Sequence, residues 1–144
     1  MNKNGPVIII EDDEDDRLIL TEVFEKLKHP NKLIFFNSGQ HALDFLLKTE
    51  EIPFIILSDI NLPILSGFDL RNKLRIDAQL AIRCIPYLYL STSATPQMIM
   101  EAYSASSQGF FMKGNTFDEV EKTIGLIMDY WKQCTSPASF TKAA

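Results

Sequence analysis

Cysteine is scarce: Cys84 and Cys134 are the only two in 144 residues. Neither has a histidine or a second cysteine beside it at metal-ligand spacing, and one disulfide would be an unusual staple for so ordinary a core. Both are read as free thiols. Positive charge is in deficit, with 14 lysines and arginines against 19 aspartates and glutamates and a net charge of −5. That balance argues against non-specific binding to nucleic acid or adhesion to an anionic membrane. Long apolar runs are missing as well. No stretch reaches the roughly 20 residues of a membrane span, and Met1 to Pro6 leads straight into a strand-like segment, not into the apolar core of a signal peptide. A cytoplasmic protein with no membrane or nucleic-acid partner is expected. Internal repeats and low-complexity tracts are absent too.

What is present is an ordinary globular composition, 46% hydrophobic and 23% charged, in a chain long enough to bury one core. The chain is organised around the stretch from Phe54 to Gly67. Its apolar run Phe54-Ile55-Ile56-Leu57 reads as a strand buried on both faces, and it ends by presenting one carboxylate, Asp59. Pro63 stops the strand, Ser66 caps the segment after it, and Gly67 permits a tight approach. Taken alone, Asp59 reads equally well as the start of a turn.

Four more segments of the same kind flank it. Val7-Ile8-Ile9-Ile10 is β-branched throughout and runs into six consecutive acids, Glu11 to Asp16. Glu14, Asp15 and Asp16 suit a helix N-terminus. Glu11 and Asp12 sit at a strand end, where clustered carboxylates repel unless a cation joins them. A helix carrying Leu20, Phe24 and Leu27 closes near His29-Pro30. Leu33 to Phe36 is a second strand, and Ser38 caps a helix bearing Ala42, Leu43, Leu46 and Leu47. A third helix, with Phe68, Leu70 and Leu74 on its apolar side, closes after Gln79. Pro86 to Leu90 is the fourth strand and leads into Ser91. Thr95-Pro96 starts a helix with Ile99, Ala102 and Tyr103 on one face. Gly109 to Met112 is the fifth strand and leads into Lys113. The capping box Thr116 to Glu119 opens the last helix, which buries Val120, Ile124, Ile127, Met128 and Trp131.

Five alternations of strand and helix imply an α/β fold with a parallel sheet and helices on both faces. Residues 5–132 are expected to form the domain and 133–144 a flexible tail. The topology brings Glu11, Asp12, Asp59, Ser91 and Lys113 to one sheet edge. The chemistry they suit is phosphoryl transfer to a carboxylate: Asp59 as nucleophile, a hard divalent cation among the carboxylates, and Ser91 and Lys113 receiving phosphoryl oxygens. Mg²⁺ fits, because it favours oxygen ligands and keeps several waters.

At these residues the sequence resembles the receiver domain of two-component response regulators, over Val7 to about Trp131. The matching segments are Ile10-Glu11-Asp12, Asp59 to Pro63 with Gly67, Leu90-Ser91-Thr92 and Phe110-Phe111-Met112-Lys113. The resemblance implies the flavodoxin-like (βα)5 fold with strand order 2-1-3-4-5. It implies phosphorylation of Asp59 by a sensor histidine kinase or phosphotransfer protein, with at most slow self-dephosphorylation. Asp12 and Asp59 would be direct metal ligands, Glu11 would act through metal-bound water, and the main-chain carbonyl of Asn61 would complete the protein ligands. Phe110 takes the family's switch-aromatic position, although it reads equally as a plain core phenylalanine. The stretch from Arg83 to Ser93 looks most like single-domain, phytochrome-associated regulators. With no further domain expected after the last helix, output is expected from a surface that contacts a protein target, and a homodimer is left open.

Two departures stand out. Ser91 replaces the usual threonine and keeps its hydroxyl. Gly114 replaces the proline usual after the lysine, often preceded by a cis peptide bond, which leaves the resting position of Lys113 undetermined. A Mg²⁺-dependent phosphohydrolase is the rival from another class, but it wants a second acid two residues after the nucleophile, where Asn61 stands. A degenerate receiver that binds partners without phosphorylation is disfavoured by the complete set of acids, hydroxyl and lysine.

Overall fold

The computed structural model describes residues 1–137. The strands are β1 (Val7–Ile10), β2 (Leu33–Phe36), β3 (Ile55–Ser58), β4 (Tyr87–Ser91) and β5 (Gly109–Met112). They form one parallel sheet in the order β2-β1-β3-β4-β5. This is the flavodoxin-like order that the resemblance to receiver domains implies. Six helices connect and flank the strands: α1 (Glu14–Leu27), α2 (Gly39–Lys48), α3 (Gly67–Ile76), α4 (Ala78–Ala81), α5 (Pro96–Ser104) and α6 (Phe117–Gln133).

Alternate strand residues feed two cores, as the two-residue period of a pleated strand dictates. Val7, Ile9, Ile55 and Leu57 pack with Leu20, Val23 and Phe24 of α1 and Ile124, Ile127 and Met128 of α6. Ile8, Ile10 and Ile56 pack on the other face with Ala42 and Leu46 of α2, Leu70 and Leu74 of α3, and Ala102 of α5. Fully burying one such large side chain stabilises the fold by roughly 1.5–3 kcal/mol. Because all five strands run parallel, their C-terminal ends lie along one edge of the sheet.

Side-chain caps set where the helices start. Ser38, Ser66, Thr95 and Thr116 each accept from the backbone N–H three residues on, as the sequence predicts. The box at Thr116 is altered in its second arm: Glu119 Oε2 accepts from the N–H of Asn115 at 2.7 Å. The expected five helices become six, because Asp77 ends α3 and its carboxylate caps the single-turn α4 by accepting from Leu80 N–H at 3.0 Å. The apolar face expected on α5 is also turned: Ala102 is buried and Met98 packs against the core, while Ile99 and Tyr103 are exposed.

Cys84 and Cys134 are free thiols. Helix α6 includes Gln133, Cys134 packs against the core and Ser136 is buried, so the expected tail is ordered as far as these residues; positions 138–144 of it lie outside the described residues. Among the described residues no helix is long and apolar enough to cross a membrane.

Candidate functional site

Four strand ends, those of β1, β3, β4 and β5, deliver the site. Asp59 follows β3, and its N–H donates to the Ile10 carbonyl at 3.0 Å, which ties the β3 exit to the end of β1. Its Oδ1 accepts from the N–H of Ile60 at 2.7 Å, leaving Oδ2 turned toward Lys113 Nζ at 3.5 Å. The carboxylate is only 14% exposed. Behind it the loop is tightly closed: Gly67 N–H donates to the Ile60 carbonyl at 2.9 Å, and a Cβ on Gly67 would lie 2.3 Å from the Asp59 carbonyl oxygen. Only glycine permits that approach. The Gly67 carbonyl in turn accepts from both buried hydroxyls of β4, Tyr87 at 3.0 Å and Tyr89 at 3.2 Å. Burial pushes both phenols well up, so they act as fixed donors. The strand pattern showed these tyrosines only as apolar, and nothing in it pointed to their role as clamps on the Asp59 loop.

Glu11, Asp12 and Asp59 each offer one carboxylate oxygen within 4.8 Å of the others. This is the cluster the acidic strand ends led us to expect. Glu11 is the buried member. Its Oε1 accepts from Lys113 Nζ, and its Oε2 accepts from Asp13 N–H at 3.4 Å. Burial is the largest influence on Glu11 and pushes its carboxyl up to about 7, against the lowering pull of Lys113 and with a further push from the Asp59 charge. For Lys113 burial pulls downward, but the hydrogen bond and charge of Glu11, with Asp59 and Asp16, outweigh it and the ammonium ends above its ordinary value. A close ion pair would by itself lower the carboxyl. We take desolvation as decisive for Glu11, since its side chain is only 3% exposed.

Lys113 is therefore held among carboxylates, and the Lys113–Gly114 peptide is trans. Asp16, read from sequence as a helix-start acid, also reaches it, with Oδ2 3.1 Å from Nζ. The cap of α1 is Asp13, whose Oδ1 accepts from Asp15 and Asp16. Ser91 is the last residue of β4 and not a residue beyond it; it is buried and its hydroxyl donates to the Ser93 carbonyl at 2.6 Å. The Phe110 ring is half-buried beside Tyr89, with ring centroids 6.0 Å apart. Asn61 lies exposed in the loop after Asp59.

The family model for the response regulator receiver domain matches residues 7–125. The chain belongs to that family. It is 28% identical over 134 residues to the chemotaxis protein CheY-3 of Vibrio cholerae, covering 90% of this chain and 95% of that protein. Among solved structures it is similar to the response regulator RPA3017 in red light signaling of R. palustris, with 29% identity, a TM-score of 0.82 and coverage of 92% and 96% of the two chains. The phosphorylated cyanobacterial phytochrome response regulator RcpA shares the fold, with a TM-score of 0.84 at 22% identity over 93% of this chain and 98% of that one. Receiver domains are signalling switches of two-component systems, not classical enzymes, and they bind Mg²⁺ or Mn²⁺ at an acidic pocket. The carboxylate cluster of this chain fits such an ion: all donors are hard oxygens, and a cation among them relieves the repulsion that the buried Glu11 and Asp59 impose on each other.

Proposed function

We propose that this receiver accepts a phosphoryl group on Asp59 from a sensor histidine kinase or a phosphotransfer protein and signals through phosphorylation-dependent protein contacts. The observation that carries the reading is the convergence of Glu11, Asp12 and Asp59 around an oxygen-lined cluster with Lys113 turned onto Asp59 Oδ2. In the transfer, an Asp59 oxygen forms the new P–O bond as the P–N bond to the donor histidine breaks. The electron pair stays on the imidazole, which leaves neutral because its other nitrogen carries a proton. Lys113 and Ser91 receive the phosphoryl oxygens.

Asp12 and Asp59 would hold Mg²⁺ directly, with Glu11 acting through water and the Asn61 carbonyl completing the protein ligands. The ion would supply charge neutralisation for the incoming phosphoryl group. We take residues 5–132 as the working unit in a cytoplasmic setting, with Phe110 as the switch aromatic and α5, β5 and α6 as the output surface toward a protein target or a second copy. Self-dephosphorylation is slow on this reading. Incubation of the chain with Mg²⁺ and phosphoramidate, followed by mass spectrometry, tests it. One phosphoryl group mapped to Asp59 is the expected result. An unmodified protein, or multiple turnover of the phosphodonor without a covalent adduct, would overturn it.

A further inference from the structure

The acidic run after β1 contributes one more group to the site than the resemblance accounts for. Asp16 lies in the first turn of α1, where its N–H donates to Asp13 Oδ1 at 3.1 Å. Its own Oδ2 accepts from Lys113 Nζ at 3.1 Å, across 97 positions of sequence. An ammonium has three N–H donors, and three carboxylates face this one: Glu11 in a hydrogen bond, Asp16 at 3.1 Å and Asp59 at 3.5 Å.

The Lys113 N–H donates to the Ser91 carbonyl at 2.7 Å, which fixes its backbone at the end of β5 but not the direction of the ammonium at the far end of its flexible stem. The next residue, Gly114, has no side chain to seat the loop, and a Cβ there would meet Glu119 Cβ at 2.3 Å. Beside the stem lies a cavity of about 40 Å³, bordered by Asp16, Met112, Lys113, Gly114 and Val120. The side chain is only 12% exposed, yet this space leaves the stem room on one side, and the direction of the ammonium is set by the carboxylates at its tip.

We propose that Asp16 is a positioning residue for Lys113: it takes one N–H and thereby turns another onto Asp59, where phosphoryl oxygens arrive. Glu11 alone would leave the ammonium free to rotate about a single strong contact. With Asp16 added from α1, two anchors on different elements define the direction of the third donor. The proposal rests on the reading of Asp59 as phosphoacceptor.

The test compares Asp16→Ala, Asp16→Asn and Asp15→Asn in the full chain. Asp15 stands on the same helix start, is exposed, and has no ion pair among the described residues, so it reports the loss of one charge near the site. Two quantities are read: the protection of the Lys113 Nζ ammonium signal in nitrogen–proton NMR of the resting protein, and the rate of phosphoryl uptake from phosphoramidate with Mg²⁺. Asp16→Ala is expected to lose the protected signal and to slow uptake about tenfold, as for a lost hydrogen bond to a charged group. Asp16→Asn keeps an acceptor and should restore most of both, while Asp15→Asn should change neither. An unchanged Lys113 signal in Asp16→Ala, or equal slowing in Asp15→Asn, would overturn the positioning role. Loss of the signal in Asp16→Ala with no uptake even by the wild type would leave the anchor standing and remove the phosphoacceptor reading instead.

Discussion

Ser91 Oγ donates to the Ser93 carbonyl at 2.6 Å and accepts from the Ser93 N–H at 3.3 Å. The hydroxyl that, on the proposed function, would donate to a phosphoryl oxygen thus starts in a closed local turn, and it would have to exchange one hydrogen bond for another. A charge-assisted bond to a phosphoryl group is about twice as strong as a neutral one, so the exchange favours the phosphorylated form. Moving a population from 1:99 to 99:1 takes about 5.5 kcal/mol, more than one such exchange supplies. Ser91→Ala is therefore expected to accept phosphate at Asp59 yet to respond weakly at α5 and β5. Amide shifts over residues 96–112 on phosphorylation check this; wild-type-like shifts in the variant would end the proposed coupling.

Gly67→Ala should damage both fold and site. The added Cβ would lie 2.3 Å from the Asp59 carbonyl oxygen and 3.1 Å from Ile60 Cα. Backbone atoms cannot swing aside as a flexible side chain does, so the loop must shift as a unit, against the two tyrosine bonds on the Gly67 carbonyl. A loss of about 1–3 kcal/mol is expected from denaturant unfolding. Phosphoryl uptake by the folded fraction should fall too, because the carboxylate moves with its own carbonyl.

Glu11 makes stability depend on pH in a stated direction. Its carboxyl is raised to about 7 from an ordinary 4.5, so between those values the folded chain holds a proton that the unfolded chain has lost. The stabilising contribution is fully present below pH 4.5 and is lost as pH rises through about 7. Each unit of such a shift is worth about 1.4 kcal/mol. Unfolding midpoints without divalent ions should fall between pH 5 and 8 in the wild type, and this part of the slope should vanish in Glu11→Gln. Mg²⁺ favours the deprotonated carboxylates, so adding it should raise the midpoint more at pH 8 than at pH 5. A flat wild-type profile, or equal Mg²⁺ effects at both values, would count against a buried, ion-responsive Glu11.

Much of this architecture was legible because its causes are local. The β-branched run Val7 to Ile10 and the apolar run before Asp59 can be satisfied only by burial on both faces, and the caps at Ser38, Ser66, Thr95 and Thr116 need only a side chain and an N–H three residues away. The features that escaped notice depend on reach across the fold. The bond from Asp16 to Lys113 joins α1 to the end of β5, and six adjacent acids give no sequence ground for singling out Asp16 as the partner or Asp13 as the cap. Tyr87 and Tyr89 hide a polar function inside an apolar pattern. Helix α4 is a single turn, too short for periodicity to register, and on α5 the short apolar pattern placed Ala102 correctly inward but also turned in Ile99 and Tyr103, which are exposed.

Ile64 carries the clearest backbone strain of the Asp59 loop. It is β-branched, has φ 69° and is 85% exposed, so no packing offsets the left-handed conformation, which costs roughly 1–2 kcal/mol for such a residue. Asn tolerates that region. Ile64→Asn should therefore raise stability by about 1 kcal/mol by denaturant midpoint while leaving phosphoryl uptake at Asp59 intact. A neutral or destabilising result would mean that the isoleucine side chain makes a contribution that its exposure conceals.

Gly114→Pro restores the residue usual in the family, and substitutions of that kind commonly stabilise. Here the local geometry points the other way. A Cβ at position 114 would lie 2.3 Å from Glu119 Cβ and 3.0 Å from the Glu119 carbonyl carbon, and Glu119 is itself engaged, with its N–H on Thr116 and Oε2 on the Asn115 N–H. Adding bulk must push the first turn of α6 away from β5 or break both caps. Overpacking and a lost cap each cost about 1–2 kcal/mol, whereas the restricted unfolded chain returns less than about 1 kcal/mol. The expected outcome is a net loss of stability, with Lys113 displaced from Glu11 and Asp16. Glu119→Ala removes the capping carboxylate and lets the first turn of α6 give way more easily, so a double-mutant cycle of Gly114→Pro with Glu119→Ala should show coupling of at least about 0.5 kcal/mol. If Gly114→Pro instead raises the unfolding midpoint, the clash is not what keeps glycine compatible with this loop; if the two changes simply add, the capped first turn of α6 is not what resists the added bulk.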